Sequence, residues 1–437
     1  MSTTADTRLP VALKPFALRQ YRLLIVGLVL AMFADGVWTV GVVWQVIALG
    51  GGPGQVAMVT GAAGVGMVAS TLAGGVLADR MSQRHIMISL ELTKLAAFAA
   101  VGAASMLGAL GQTGLVLASI CGGITIGMYY PAYSALLPKV VEAAQLQAAN
   151  GVEGFLRPVV MQAFGPMVAG GVISIAAPGP AILLAGVASA LSAVTYLRMT
   201  PIEVRREPHP SAVRSVVTDI SEGFGYLWRT PWLWATLFFA CILVLAIMGP
   251  IEVLVPFALR ERVNGGAADH SLVLAAFGVG AAGSSLAFAS IPMPRRYISV
   301  IFGVFGCSSL PLVIMGVAQH TWLFVVAGFL SGVLFDGPTV LWGTMLQRRV
   351  PPHLLGRVAS LDFFVSVSLM PVSMAIAAPV SHWLGLTMTF VLAGLLPVPC
   401  ALAFYLAARL WRDEIEHPLA DSEGPDPVSP DSVAIRV

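Results

Sequence analysis

The feature that most constrains this chain is a succession of apolar blocks about twenty residues long, separated by short breaks rich in Gly, Pro or Arg. A helix needs about 20 largely apolar residues to cross the hydrocarbon core of a membrane. Of the 437 residues, 57% are apolar and 11% are charged, against roughly 45–50% and about 25% in soluble domains. A water-soluble surface cannot be built from this composition, so the sequence predicts an all-α integral membrane protein.

Twelve such blocks are present, and a polar segment divides them into two sets of six. The segment is predicted to end in an amphipathic helix at the membrane surface, because its apolar residues recur at helical spacing. The tail combines many acidic residues with prolines and buries too little apolar surface to become ordered. The predicted parts are a cytoplasmic segment 1–21, a six-helix bundle 22–198, a cytoplasmic linker 199–232, a second six-helix bundle 233–408 and a disordered cytoplasmic tail 409–437.

The distribution of basic residues predicts the orientation. With the N-terminus inside, 20 of the 24 Lys and Arg residues fall in cytoplasmic segments, and only Arg260 and Arg262 fall in outside loops. This bias follows the positive-inside rule, so both termini are predicted to be cytoplasmic. The richness in Arg, Ala, Gly and Val indicates a bacterial chain and therefore the bacterial cytoplasmic membrane.

Several function classes are disfavoured by the sequence. The net charge of +2 and the scattered basic residues predict no nucleic-acid partner. The seven histidines are spread singly and the four cysteines lie in four different apolar blocks, so no metal site and no cofactor are predicted. Neither a Walker loop nor a nucleophile elbow is found, which argues against an enzyme.

A loop at the end of the second block carries Gly75, Asp79, Arg80 and Arg84. This spacing resembles the signature between the second and third helices of the major facilitator superfamily, although the two positions before Arg84 depart from the pattern. The resemblance implies a conformational latch, in which Asp79 bonds near Arg357 at the start of the eleventh helix when the cytoplasmic side is shut. The alternative is that these charges only solvate a loop.

The fifth block carries Gly165, Pro166 and Gly170, which are similar to a motif that antiporters of this superfamily place in the same span. Small residues let helices approach closely, and a proline helps a span to bend. The alternative is simple helix packing. Residues 135–150 and 347–358 further resemble the branch of the superfamily that contains macrolide exporters and an enterobactin exporter.

Three carboxyl groups lie within blocks that the resemblance places around a substrate path: Asp35 in the first block, Glu252 in the seventh and Asp336 in the tenth. A charge at the bilayer centre costs about 2.5–3.5 kcal/mol on insertion scales, so such residues need a cavity or a partner. A carboxyl in a low-dielectric cavity can exchange a proton near neutral pH. We therefore predict proton-coupling roles, with Asp35 first. Packed hydrogen bonds, or a solvated position for Glu252, are the alternatives.

Two other charged pairs are expected to neutralise themselves. Glu153 and Arg157 are four residues apart, which predicts a structural ion pair on one helix face. Glu91 and Lys94 are three apart and are assigned no transport role.

Aromatic residues in the first, fourth, seventh and tenth blocks are candidates for a substrate-stacking surface. Core packing explains each of them as well. The candidates are Trp38, Tyr129, Tyr130, Tyr133, Phe238, Phe239 and Trp342.

The sequence thus predicts a secondary transporter that exports hydrophobic or amphipathic, drug-like molecules by proton antiport, alternating access between two bundles. Its partners are a small-molecule substrate, protons and the lipid bilayer, and the family resemblance implies a monomer. The alternative of the same fold is an exporter of siderophores or other secreted metabolites. A remote alternative is a membrane sensor or enzyme that transports nothing.

Overall fold

The computed structural model describes residues 11–142, 145–201, 225–291 and 293–419. Within these ranges the side chains of 11–13, 72–80, 130, 147–148, 352–353, 355–357, 359–360 and 363 are left out. Among the described residues, eleven helices are long and apolar enough to cross a membrane. One more long helix, Pro53–Arg80, lies between the first two of them in the chain.

The first six helices form the N-terminal bundle. They are α1 Arg19–Ala48, α2 Pro53–Arg80, α3 Gln83–Met106, α4 Gln112–Val140, α5 Ala149–Ile175 and α6 Pro178–Leu197. In the middle of α5, the segment Arg157–Phe164 is a π-helix.

The next six helices form the C-terminal bundle. They are α7 Pro231–Val263, α8 Ala267–Ser290, α9 Tyr297–Val317, α10 Thr321–Arg349, α11 in two segments, Pro352–Ser368 and Met370–Leu384, and α12 Leu386–Ala407. A π-helical turn, Pro250–Leu254, interrupts α7. The prediction of an all-α membrane protein with twelve helices in two bundles is confirmed.

Tight turns set the antiparallel order of neighbouring helices. Gly50 follows α1, Gly108 follows α3, Asn264 follows α7 and Gly385 follows α11, and each has a positive φ. A residue in this left-handed region commonly ends a helix, and glycine adopts it without strain. The four turns lie on one face of the molecule, here named the α1–α2 face. The chain enters and leaves each bundle at the other face, named the terminal face.

The two bundles meet where α2 packs against α11 and α5 packs against α8. Small residues make this approach possible. A Cβ at Gly64 would lie 2.8 Å from the Cγ of Pro371, and a Cβ at Gly170 would lie 2.8 Å from the carbonyl oxygen of Ala267. Near the α1–α2 face, the indole Nε1 of Trp44 also donates to the Nδ1 of His270 over 3.3 Å.

The prediction of a disordered tail is wrong for its first residues, because Leu410–Glu416 forms a further helix, α13. Glu414 is buried there, accepts a hydrogen bond from the Ser299 backbone over 3.0 Å and lies 3.5 Å from Arg296. Asp413 pairs with Arg349. The acidic residues become ordered because α9 and α10 supply their partners. Residues 420–437 and the amphipathic helix predicted within 202–224 lie outside the described residues.

Gly170→Ala tests the packing between bundles, and Gly171→Ala is its matched control. A methyl group at Gly170 collides with Ser271 and Ala267 of α8, whereas one at Gly171 meets no atom within 4 Å. Overpacking costs about 1–3 kcal/mol. We expect Gly170→Ala to lower the melting temperature of the detergent-purified protein and Gly171→Ala to leave it unchanged or raised. Equal melting temperatures for the two variants would contradict this packing.

Candidate functional site

A cluster of three charged side chains lies inside the N-terminal bundle. The Nζ of Lys94 on α3 is 3.2 Å from Asp35 Oδ1 on α1 and 3.0 Å from Glu91 Oε1, one helical turn earlier on α3. The side chains of Glu91 and Lys94 are 0% and 1% exposed, and that of Asp35 is 15% exposed. Asp35 is therefore the most exposed side chain of the cluster.

The charge of this cluster depends on protonation. With both carboxyl groups ionised, two negative charges face one ammonium group, and the net charge is −1. With one proton bound, the cluster is neutral. An uncompensated charge in a low-dielectric interior costs several kcal/mol, so a buried cluster of this composition favours one bound proton. The arrangement is chemically suited to binding and releasing a proton.

Close helix packing surrounds the turn that bears Asp35. A Cβ at Gly36 would lie 2.9 Å from Pro166 Cδ, and a Cβ at Gly165 would lie 3.0 Å from the Cα of Gly36. The Gly-Pro pair of α5 therefore contacts the helical turn beside Asp35. Gly170, one turn further along α5, instead faces α8 of the other bundle.

Aromatic side chains cover the ammonium group. The Nζ of Lys94 lies 5.9 Å from the centre of the Tyr129 ring, at the outer limit of a cation–π contact. The hydroxyl groups of Tyr129 and Tyr196 share a hydrogen bond. This hydrogen bond joins α4 to α6 beside the cluster.

The other two predicted proton-coupling residues, Glu252 and Asp336, lie in the C-terminal bundle, whereas Asp35 lies in the N-terminal bundle. Glu252 lies in the π-helical turn of α7, where Ser373 of α11 accepts a hydrogen bond from the Gly249 backbone over 2.7 Å. Asp336 lies within α10, partly buried. Among the described residues, neither carboxyl group forms an ion pair.

Arg157 begins the π-helical segment of α5, which packs against α8 of the other bundle. Its Nη2 lies 2.7 Å from Glu153 Oε1, and its side chain is 42% exposed.

Sequence reasoning missed three ionisable residues inside the two bundles. Glu91 and Lys94 are assigned no transport role from the sequence, because opposite charges three residues apart can neutralise each other without a third partner. Asp362 of α11 accepts a hydrogen bond from the Trp342 Nε1 over 3.1 Å and is a further carboxyl group within the C-terminal bundle. The signal that could have found it is an acidic residue inside an apolar block.

Three of the predicted substrate-contact residues lie in the bundle interiors, and their role stays a prediction. Trp38, Tyr133 and Phe239 are buried. Trp38 stacks on Phe98 with ring centres 4.3 Å apart, and Phe239 stacks on Phe302 at 5.4 Å. These rings fill the bundle cores, because helix packing demands large apolar side chains as much as a binding surface does.

The remaining aromatic candidates have varied surroundings. Phe238 is exposed beside Trp228 and Trp234. Tyr129 and Trp342 are partly buried and hydrogen-bonded. The side chain of Tyr130 lies outside the described residues.

Among the latch residues, only the side chain of Arg84 is described. It is buried and donates to the carbonyl oxygens of Tyr196 over 2.9 Å and Leu197 over 2.7 Å. A guanidinium group thereby satisfies carbonyls that the end of α6 leaves unpaired. Arg84 thus holds α3 to α6 within one bundle. Gly75 and the side chains of Asp79, Arg80 and Arg357 lie outside what the structure describes, so the latch between bundles stays a prediction.

Residues 23–370 match the family model of the Major Facilitator Superfamily. The chain belongs to this superfamily. The family resemblance drawn from the sequence is therefore confirmed, and the protein is a multi-pass membrane protein of a transporter family.

Named relatives and solved structures agree with this membership. This chain is 25% identical over 417 residues to the multidrug efflux pump Tap of Mycobacterium tuberculosis, and the match covers 92% of this chain and 96% of that protein. It is 23% identical over 330 residues to macrolide efflux protein A of Streptococcus pyogenes, and the match covers 75% of this chain and 81% of that protein. The crystal structure of the nucleoside transporter NupG has the same fold, with a TM-score of 0.71, 11% identity and coverage of 89% and 98%.

Lys94→Met tests the charge balance of the cluster. It leaves two carboxyl groups without their ammonium partner, and breaking a buried pair from one side costs about 3–5 kcal/mol. We expect a clear fall in melting temperature. Lys139→Met is the control. It also removes one ammonium group, but Lys139 lies at the end of α4 and donates to the amide oxygen Oε1 of Gln83 rather than to a carboxylate.

A second variant makes this test specific. Adding Glu91→Gln to Lys94→Met removes one of the two uncompensated carboxyl groups and is expected to restore part of the lost stability, which a double-mutant cycle measures. If the two effects simply add, the cluster is not electrostatically coupled.

Proposed function

We propose that this chain is a secondary active transporter that exports hydrophobic or amphipathic, drug-like small molecules by proton antiport. The observation that carries the proposal is the buried cluster in which Asp35 and Glu91 share one lysine. Membership of a transporter superfamily and likeness to two named efflux pumps support export. The same likeness favours drug-like substrates over siderophores.

Coupling follows from the two charge states of the cluster. The protonated cluster is neutral and can be enclosed by α1, α3 and α5. The deprotonated cluster carries −1 and is stabilised only by water or by another cation. Proton binding therefore stabilises conformations that enclose the cluster relative to those that expose it. A ligand can shift the populations of two conformations only through such a difference.

The transport cycle uses this bias. The carrier binds a proton when the cluster is accessible from outside and releases it when the cluster is accessible from the cytoplasm. Substrate is bound during the opposite conformational change, from inward-facing to outward-facing, so the inward flow of protons drives export. The two bundles rock about their interface to alternate access.

The proposed location is the bacterial cytoplasmic membrane, with both termini inside and the protein monomeric. The terminal face carries Arg19 and Arg22 at the start of α1 and Arg348 and Arg349 at the end of α10. An excess of arginine on one face supports a cytoplasmic position for that face.

Asp35→Asn tests the proposed function in proteoliposomes under an imposed pH gradient, with erythromycin and ethidium as transported probes. We expect gradient-driven flux to fall at least about tenfold, the equivalent of about 1.4 kcal/mol. Exchange of labelled for unlabelled probe without a gradient is expected to persist, because it needs no net proton transfer. Glu142→Gln, which removes an exposed carboxyl group after α4, is the matched control and should transport normally.

Two results would contradict the proposal. Full gradient-driven flux in Asp35→Asn would show that Asp35 does not take part in proton coupling. Flux that no pH gradient stimulates in the unmodified protein would exclude proton antiport of these probes.

A further inference from the structure

A cavity of about 530 Å³ lies at the terminal face of the C-terminal bundle, between the start of α7, the end of α10 and α13. Its described lining includes three arginines, one aspartate and one histidine. Sites for small ligands commonly occupy about 300–1,000 Å³, so this cavity has room for a polar group of that size. It lies outside the charged cluster of the N-terminal bundle and is not used by the proposed proton coupling.

The lining of the cavity carries a surplus of positive charge. Among the described residues that line it, the positive groups are Arg229, Arg348 and Arg349. The negative group is Asp413, so three positive charges and one negative charge give +2 with His417 neutral. A concave site with charge of one sign concentrates ions of the opposite sign. The ligand that suits this cavity is therefore an anion.

Arg349 is fixed at one wall of the cavity. Its guanidinium group pairs with Asp413 and lies 4.8 Å from the centre of the Trp232 ring. The Arg349 side chain is 8% exposed and that of Asp413 is 18% exposed. This pair connects α10 to α13, and the ring connects both to the first turn of α7. The wall is therefore rigid before any ligand binds.

The other two arginines are exposed at the same cavity. Arg348 donates to a neutral group, the carbonyl oxygen of Leu419, over 2.9 Å. Arg229 forms no ion pair with another residue of the described ranges. A guanidinium group carries five N–H donors in a planar arrangement that matches the oxygens of a phosphate group. Arg229 and Arg348 can therefore both donate to a phosphate in the cavity.

The surroundings of the cavity indicate the depth of lipid headgroups. Trp228, which precedes Arg229 in the chain, is 61% exposed, and its ring centre lies 5.6 Å from that of the exposed Phe238 on α7. Tryptophan is enriched where membrane helices meet the headgroup layer. Basic pockets between membrane helices at the cytoplasmic side bind lipid headgroups. A lipid can thus place its acyl chains beside Phe238 and its headgroup in the cavity.

We propose that this cavity binds the phosphate group of an anionic phospholipid such as phosphatidylglycerol. Arg229 and Arg348 donate to the phosphate oxygens, and the wall formed by Arg349 and Trp232 bounds the headgroup. The bound lipid bridges the start of α7 to the end of α10. Because it binds the folded protein, it raises the stability of the C-terminal bundle by mass action. The proposal goes beyond proton antiport and does not depend on it.

General attraction between a basic face and an anionic membrane makes a different prediction. Arginines near a membrane surface attract anionic lipids without forming a site. In that case every exposed arginine of the terminal face should contribute alike. Arg295 and Arg412 provide the comparison, because both are exposed at the terminal face of the same bundle and neither lines the cavity.

The test measures lipid binding to the purified, delipidated full-length protein in detergent. Native mass spectrometry counts bound dioleoyl phosphatidylglycerol and dioleoyl phosphatidylcholine over a range of lipid concentrations. The cavity variant combines Arg229→Gln with Arg348→Gln, and the matched surface variant combines Arg295→Gln with Arg412→Gln. Each removes two positive charges. Melting temperatures without lipid establish that the variants are folded, and melting temperatures with inorganic phosphate test a soluble anion.

We expect the unmodified protein to bind phosphatidylglycerol at least about tenfold more tightly than phosphatidylcholine, since each basic residue near a membrane surface contributes about fivefold. The cavity variant is expected to lose most of this preference, and the surface variant is expected to keep it. Arg229→Lys combined with Arg348→Lys retains the charge and should restore part of the preference. If the glutamine pair fails to fold, Arg229→Gln alone breaks no described ion pair and should still weaken the preference.

Three results would overturn the inference. Equal affinity of the unmodified protein for the two lipids would exclude an anionic-lipid site. Equal losses in the cavity variant and the surface variant would show general attraction to a basic face. Inorganic phosphate that raises the melting temperature as much as phosphatidylglycerol does would assign the cavity to a soluble anion instead of a lipid.

Discussion

The structure depends on one ammonium group held between two carboxyl groups inside the membrane. Each of these charges alone would be costly at this depth. Together, Asp35, Glu91 and Lys94 neutralise one another except for a single negative charge, which one proton removes. The same contacts fix the positions of α1 and α3, so the interaction that orders the N-terminal bundle is also the one that can respond to pH.

Glycines let the helices around this cluster pack closely. Gly36 and Gly165 let α1 and α5 approach closely beside Asp35, and Gly278 lets α8 approach the π-helical segment of α5 from the other bundle. In lipid, helices gain little from the hydrophobic effect and associate through such close contacts. The cluster is therefore enclosed by helices of one bundle and lies one helix away from the other.

The fold was predictable because its signal is local. Apolar blocks about as long as the membrane is thick mark the helices, and turn residues such as Gly50 and Gly385 end them. Asp35 could be singled out because a carboxyl group within an apolar block needs a reason. Its partner could not, because the contact between Asp35 and Lys94 joins helices that are 59 residues apart in the chain.

The features that the sequence did not predict have the same physical origin. A large aromatic side chain in a membrane helix gives the same sequence signal whether it fills a core or lines a path, so the stacked positions of Trp38 and Phe239 in the bundle cores could not be predicted. The sequence predicts a disordered start of the tail because its partners are distant in the chain. Arg296 directly precedes α9, and Arg349 ends α10. Contacts between distant segments, rather than composition, decide each of these cases.

The central claim is that the cluster holds one exchangeable proton on its carboxyl groups. Infrared difference spectroscopy of the purified protein measures this directly, because a protonated carboxyl group absorbs apart from a carboxylate. The account predicts a protonated-carboxyl band that titrates with pH and disappears when Asp35→Asn and Glu91→Gln are combined. A band that is absent from the unmodified protein at every pH, or that survives unchanged in the double variant, would contradict it.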